Sequence, residues 1–187
     1  ERSEAGVSWV TIDYHNKPQR HYNLFNGVSG IPLFLCDYFR YSGDEEALQL
    51  ADAALNWCES PESPPGESED DFQRGLQVGR LGVAYARLRY DALLGREPSA
   101  YCHERADHVL SEPCGPVTDL MGGEASNGFY LLRLYQNCGD ARYLEGARRC
   151  AEWLTAQLVR DNGSVFCQMM PNEEKQKGRY FLGASHG

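Results

Sequence analysis

Two residues in this 187-residue chain stand where proton transfer would need them. Asp119 lies four residues before Gly123, and His186 lies one residue before Gly187. Each sits in a short segment leading into a glycine-started helix: Asp119 to Gly122 in one case, Gly183 to His186 in the other. A carboxylate and an imidazole brought to one place can work as a proton-handling pair. An imidazole titrates near neutral pH, which suits it to proton transfer. Each residue has a plainer reading beside this one. Asp119 is also a residue type that caps helices, and His186 also fits a loop position with no chemistry.

The other titratable candidates are weaker. His103 and His108 are five apart on one helix, so they share no face and make no metal pair. His15 and His21 flank a polar entry segment and read as surface residues. Seven cysteines stand at 36, 58, 102, 114, 138, 150 and 167. The number is odd and no pair has Cys-x-x-Cys spacing. They read as reduced, buried thiols of a cytoplasmic protein, so no metal ligand is expected in this chain.

The elements that position Asp119 and His186 come from an internal repeat. Shifted by 96 positions, residues 27–58 align with 123–154 without a gap, and seven of 32 positions are identical. Average composition gives about two. Gly43-Asp44 falls on Gly139-Asp140, Ala51 on Ala147 and Trp57 on Trp153. A further copy opens at Gly79-Arg80-Leu81-Gly82, and another begins at Gly183-Ala184-Ser185-His186-Gly187. The glycines that open the copies, at 27, 79, 123 and 187, are one helical hairpin plus a variable loop apart.

Each copy predicts an inner and an outer helix. Inner helices are expected to start near Gly30, Gly82 and Asn127, and outer helices near Asp44, Ser99 and Asp140. The segment Ile31 to Tyr41 is apolar on nearly every side, the pattern of a buried helix. Gly43 ends it as a left-handed cap, and Asp44 caps the next. The outer helices carry one apolar stripe each: Leu48, Ala51, Leu55 and Cys58 in the first, and Leu144, Ala147, Ala151, Leu154 and Leu158 in the third. Trp57 and Trp153 recur at matching positions and read as core. Glycines at the inner-helix starts let neighbouring backbones come close. Inner-helix N-termini then gather at one end, with their free N–H groups and partial positive charge. Ser126 stands where Gly-x-x-Gly would have its second glycine, and Gly128 is expected to compensate. The Pro-rich acidic stretch from Glu59 to Asp70 reads as an exposed loop. Ser164 to Met169 is the sole strand candidate.

Composition excludes several classes. The balance is 18 Lys and Arg against 27 Asp and Glu, a formal net charge of −9, with no basic cluster to hold a nucleic acid. Apolar residues make up 42%, enough for one core. The longest apolar run, Ile31 to Cys36, is too short to cross a membrane. The first four residues, Glu1-Arg2-Ser3-Glu4, are no signal peptide. Because the chain starts without Met and stops inside a motif, it reads as an excerpt of a longer protein.

The ordered set Leu24-Phe25-Asn26-Gly27-Val28-Ser29-Gly30, then Val117-Thr118-Asp119-Leu120-Met121-Gly122-Gly123, then Phe181-Leu182-Gly183-Ala184-Ser185-His186-Gly187 resembles the lanthionine synthetase C-like family. The resemblance runs from about Tyr22 to Gly187. It implies an all-α fold, an α,α-toroid of seven inner and seven outer helices, here an incomplete ring. Residues 1–187 would form a partial domain, with hairpin units near 24–58, 75–111 and 119–160 and the start of another at 183–187. It implies a zinc ion that ionises a Cys thiol, which adds to dehydroalanine or dehydrobutyrine and closes a thioether ring. The family's zinc ligands, a Cys and a later Cys-His pair, would lie beyond Gly187. Asp119 and His186 match the family's active-site Asp and His. The implied partners are a dehydrated precursor peptide or a glutathione-like thiol, and a fused or separate dehydratase or kinase domain. Two other readings stay open: a carbohydrate-active α,α-barrel such as a glycosidase or epimerase, and a non-catalytic helical-repeat scaffold that binds peptides.

Overall fold

The computed structural model describes residues 1–12, 16–63, 74–171, 173–174, 180–181 and 183. Among these, three helical hairpins follow one another: α1 (Gly30–Ser42) with α2 (Glu45–Glu59), α3 (Arg80–Leu93) with α4 (Ala100–Ser111), and α5 (Glu124–Cys138) with α6 (Ala141–Ala156). About half of the chain is helical, so the fold is mostly α.

The hairpin turns form as their residues dictate. Gly43 and Gly139 adopt φ of 71° and 72° and donate their N–H groups to Phe39 and Tyr135. A side chain at either φ would be strained. Asp44 and Asp140 then accept from the N–H groups of Glu46 and Arg142, at 3.0 and 2.9 Å. Outer helices begin at the three expected caps. Ser99, however, makes no side-chain bond to a first-turn N–H of α4; its hydroxyl donates to the Cys102 sulfur at 3.5 Å instead. The inner helices α3 and α5 start two and three residues earlier than Gly82 and Asn127.

The inner helices stand side by side with α3 in the middle, packed against α1, α2, α4 and α5. That position decides which inner helix is buried. Nine α3 residues are buried, from Leu81 to Asp91. Its two charged members are satisfied. Arg87 binds Glu59 and Asp52 at 2.6 and 2.9 Å and Asn56 at 2.7 Å, and Asp91 accepts the Ser99 N–H. The expected all-round burial of α1 does not hold. Pro32 and Cys36 are its buried residues, while Phe34, Tyr38 and Tyr41 are exposed. The face of α1 turned away from α2 and α3 has no described helix against it.

The largest core joins α3 through α6 around Leu81, Leu88, Tyr130, Leu131, Leu134 and Tyr143. Truncating such a fully buried leucine to alanine costs about 2–5 kcal/mol. Trp57 belongs to a second cluster with Tyr22, Val28 and Ala54. The stripe on α6 is rotated from its expected position. Tyr143, Gly146 and Cys150 are buried, and Ala151 is exposed. Gly146 is the cause: an added Cβ there would meet Leu110 Cδ2 at 2.3 Å, so α4 seats its leucine on bare backbone.

Three two-stranded antiparallel ladders complete the described chain. β1 (Arg2–Ser3) pairs with β2 (Gly6–Val7), β3 (Thr11–Ile12) with β4 (Pro18–Gln19), and β5 (Val159–Asp161) with β6 (Ser164–Phe166). The last includes part of the expected strand. The first two went unforeseen because two-residue strands carry no readable alternation. The start of the Pro-rich stretch is anchored rather than solvated. Ser63 is buried, donates to the Cys58 carbonyl and accepts from Arg80. Residues 64–70 lie outside the described residues. No described helix is long and apolar enough to cross a membrane.

Candidate functional site

The segments leading into the inner helices form a row: L1 (22–29), L2 (74–79) and L3 (117–123). They are joined by backbone hydrogen bonds. Leu24 and Phe25 of L1 donate to the Gln77 carbonyl of L2, and Gln77 donates to Met121 of L3, all at 2.9–3.0 Å. Side chains of α5 strengthen the second joint. Ser126 Oγ accepts from Leu76 N–H, and Asn127 Oδ1 accepts from Gly75 N–H, both at 3.1 Å. On the far side of L3, Thr118 donates through its N–H to Met169 and through its hydroxyl to Gln168.

The glycines make this row possible, but mostly by a route the sequence did not suggest. A Cβ on Gly30 would meet the Leu24 carbonyl oxygen at 2.8 Å, one on Gly82 the Leu76 carbonyl oxygen at 2.2 Å, and one on Gly123 the Val117 carbonyl oxygen at 2.6 Å. Each glycine admits its own lead-in segment, which folds back over the helix start. Close approach between neighbours occurs at Gly75, whose added Cβ would lie 2.6 Å from Gly122 Cα. Gly128 does not replace the missing second glycine. It faces α6, where an added Cβ would lie 3.1 Å from Cys150 Cβ. Ser126 takes over the joint with L2 instead.

Asp119 sits in L3 and is 8% exposed. Its Oδ1 accepts from the N–H groups of Met121 and Gly122, at 3.1 and 2.9 Å. It therefore shapes the turn before α5 rather than capping the helix. The helix start is capped by backbone: Glu124 and Ala125 donate to the carbonyls of Val117 and Thr118. In the 96-residue register Asn23 matches Asp119, and Asn23 Oδ1 accepts from Asn26 N–H at 3.1 Å. The two loops make the same turn, one with an amide and one with a carboxylate. In L2 the matching position is Gly75, with φ of 92° and no side chain. The partner expected for Asp119, His186, lies outside the described residues.

Behind L3 is a cluster the sequence reading missed. Cys114, Glu124 and Cys150 bring their donor atoms within 4.8 Å of one another. Glu124, 1% exposed, is held by three donors on Oε1: Arg74 Nη2 at 2.5 Å, the Gly115 N–H at 3.0 Å and Asn127 Nδ2 at 3.2 Å. Its Oε2 receives the Cys150 thiol at 3.2 Å. Arg74, the charged residue ahead of the second copy, also donates to the Pro113 carbonyl. Burial first, and the Glu124 charge second, push both thiols above the ordinary range. Nothing local marks this cluster, because Cys114 and Cys150 are 36 residues apart. The register does mark it. Glu124 and Cys150 fall on Val28 and Ala54, which are fully buried apolar residues of the first hairpin. Elsewhere, Cys58 and Cys102 point at the backbone carbonyls of Tyr22 and Ala84, as buried small hydrophobes do. His103 meets the Tyr143 hydroxyl at 2.7 Å.

The chain belongs to the lanthionine synthetase C-like protein family, whose sequence profile matches residues 18–187. No curated protein matches the chain. The zinc that the family implies needs a coordination position open to a substrate thiol. The Cys114–Glu124–Cys150 group does not fit that role, because Glu124 and Cys150 are sealed between α5 and α6 and Cys114 is the sole donor with partial exposure.

Proposed function

We propose that this chain is part of a thioether-forming cyclase acting on dehydrated peptides, with Asp119 and His186 as its proton-handling pair. The three hairpins would be consecutive units of an α,α-toroid, and the row of lead-in segments would be the rim facing substrate. One observation carries the reading. The matching turn in L1 is built by an amide at Asn23, so the turn itself does not call for a carboxylate at position 119.

The proposed substrate is a peptide containing dehydroalanine or dehydrobutyrine and a Cys. A free thiol, with a pKa of about 8.5, is mostly protonated at neutral pH. Zinc in this family would supply thiol ionisation when bound. The sulfur electron pair forms a bond to the β-carbon, and the alkene π pair moves toward the neighbouring carbonyl as an enolate. His186, as the imidazolium, donates a proton to the α-carbon, and the enolate collapses to the thioether product. The Asp119 carboxylate favours the charged imidazolium and orients it. A glutathione-like thiol as donor would use the same two residues.

The test is His186→Ala in the full-length parent. Zinc content and peptide affinity are expected to stay at wild-type levels, with cyclisation slowed by about 10²–10⁴. Progress is read as the free thiols remaining on the substrate peptide, by alkylation and mass. A wild-type rate would remove His186 from the reaction.

A further inference from the structure

The cluster behind L3 has features of a metal site, and none of its three donor residues belongs to a lead-in segment, so it does not rest on the cyclase reading. In the first hairpin the matching positions are filled by Val28 and Ala54 in an apolar cluster. The scaffold therefore needs neither a thiol nor a carboxylate there. The third hairpin has both, and Cys114 is brought in from the segment between α4 and α5.

We propose that Cys114, Glu124 and Cys150 form a buried binding site for a thiophilic divalent cation, zinc in particular.

Three features support it. The first is spacing. Tetrahedral zinc with sulfur at about 2.3 Å and carboxylate oxygen at about 2.0–2.2 Å holds its donors about 3.5 Å apart. The Cys150 sulfur and Glu124 Oε2 are already 3.2 Å apart, and the whole group spans no more than 4.8 Å. The second is orientation. Arg74, Gly115 and Asn127 all bind Glu124 Oε1. Outer partners of this kind fix a ligating carboxylate, and here they aim its second oxygen at the sulfurs. The third is charge. Arg74 and Glu124 already cancel. When the cation binds, the two thiol protons leave to solvent and one divalent ion takes their place. The buried formal charge is the same before and after, which avoids the penalty for an uncompensated interior charge. Two sulfurs and one oxygen favour zinc over calcium or magnesium, which take oxygen ligands. Of the three protein donors, Cys114 lies on the partly exposed side.

Bound there, the cation would tie the α4–α5 connection to α6 and to the start of α5. Arg74 would carry that constraint to L2.

The experiment uses the full 187-residue chain, stripped with a chelator, reloaded with Zn²⁺ and desalted. One zinc per chain is expected. Co²⁺ in place of Zn²⁺ should give thiolate-to-metal charge-transfer absorption. Cys150→Ser and Cys114→Ser should each lose the bound metal, and Cys138→Ser should keep it. Because Cys150 is buried and its variant is prone to misfold, the Cys114→Ser variant, checked for wild-type helical circular dichroism, decides the matter. The proposal is overturned if the wild-type chain retains no metal or if Cys114→Ser binds a full equivalent. It is also overturned if non-reducing peptide mapping finds Cys114 and Cys150 joined as a disulfide in metal-loaded protein.

Discussion

The first and third hairpins share one scaffold and differ in what they do with it. Both begin with a glycine that admits the preceding carbonyl, end the inner helix on a left-handed glycine, and cap the outer helix with Asp. Both lead-in segments turn on a side-chain oxygen, Asn23 in one and Asp119 in the other. Behind the turn, however, the first hairpin packs Val28 against Ala54, and the third sets a salt-bridged Glu124 against Cys150. Since the first hairpin does without these polar groups, the fold alone does not account for them. An internal copy thus separates what the scaffold needs from what it carries.

The largest effect is expected from forcing the third hairpin to imitate the first. Glu124→Val leaves the Arg74 guanidinium and the Gly115 N–H without their carboxylate. Breaking one side of a buried pair costs about 3–5 kcal/mol. Val28→Ala in the first hairpin removes two methyl groups, about 2 kcal/mol at about 0.8 kcal/mol per buried carbon. The double variant Glu124→Val with Arg74→Met should recover most of the loss, because exchanging a buried pair for apolar groups is close to neutral. Urea unfolding of the four proteins checks this order. A Glu124→Val loss below that of Val28→Ala would show that the Arg74 guanidinium is not left uncompensated when the carboxylate is removed.

A smaller and symmetric effect is expected where the hairpins agree. Asp44→Ala and Asp140→Ala each remove one capping acceptor and should each cost about 1 kcal/mol; Asp140 also holds the Arg142 guanidinium at 2.9–3.0 Å, an exposed pair that adds little. Thermal melts of the two variants should superimpose within error. A difference above about 1 kcal/mol would mean that one cap carries a tertiary role.

The repeat made much of this visible in advance. The outer-helix starts follow from Gly-Asp pairs, whose local chemistry is self-sufficient. Asp119 stood out as a carboxylate in a segment leading into a helix-opening glycine. What stayed hidden depends on neighbours. The exposure of α1 follows from what stands beside it, and Ile31 to Tyr41 would read the same in either setting. The rotated stripe of α6 follows from Leu110 pressing on Gly146, a contact between separate hairpins. The Cys114–Glu124–Cys150 group is assembled across 36 residues, so no spacing motif announces it. Asp119 was expected either to cap or to catalyse. The structure shows it holding a turn, a role that Asn also fills.

The smallest change in stability is therefore expected at the two turn residues. Asn23→Asp and Asp119→Asn both keep an oxygen for the turn N–H groups and should shift unfolding by less than the cap truncations, under about 1 kcal/mol. A larger loss at Asp119→Asn would assign the carboxylate a structural task that Asn23 does not have.

Asp119→Asn also provides the most direct test of the central claim, that the third hairpin carries a carboxylate for chemistry rather than for folding. The measurement is the rate of thioether formation by the full-length parent bearing Asp119→Asn, with Asn23→Asp as control. The account predicts wild-type melting for both variants, a wild-type rate for Asn23→Asp, and a rate lowered about 10²-fold or more for Asp119→Asn. A wild-type rate from a folded Asp119→Asn protein would contradict it, leaving Asp119 as a turn residue like Asn23.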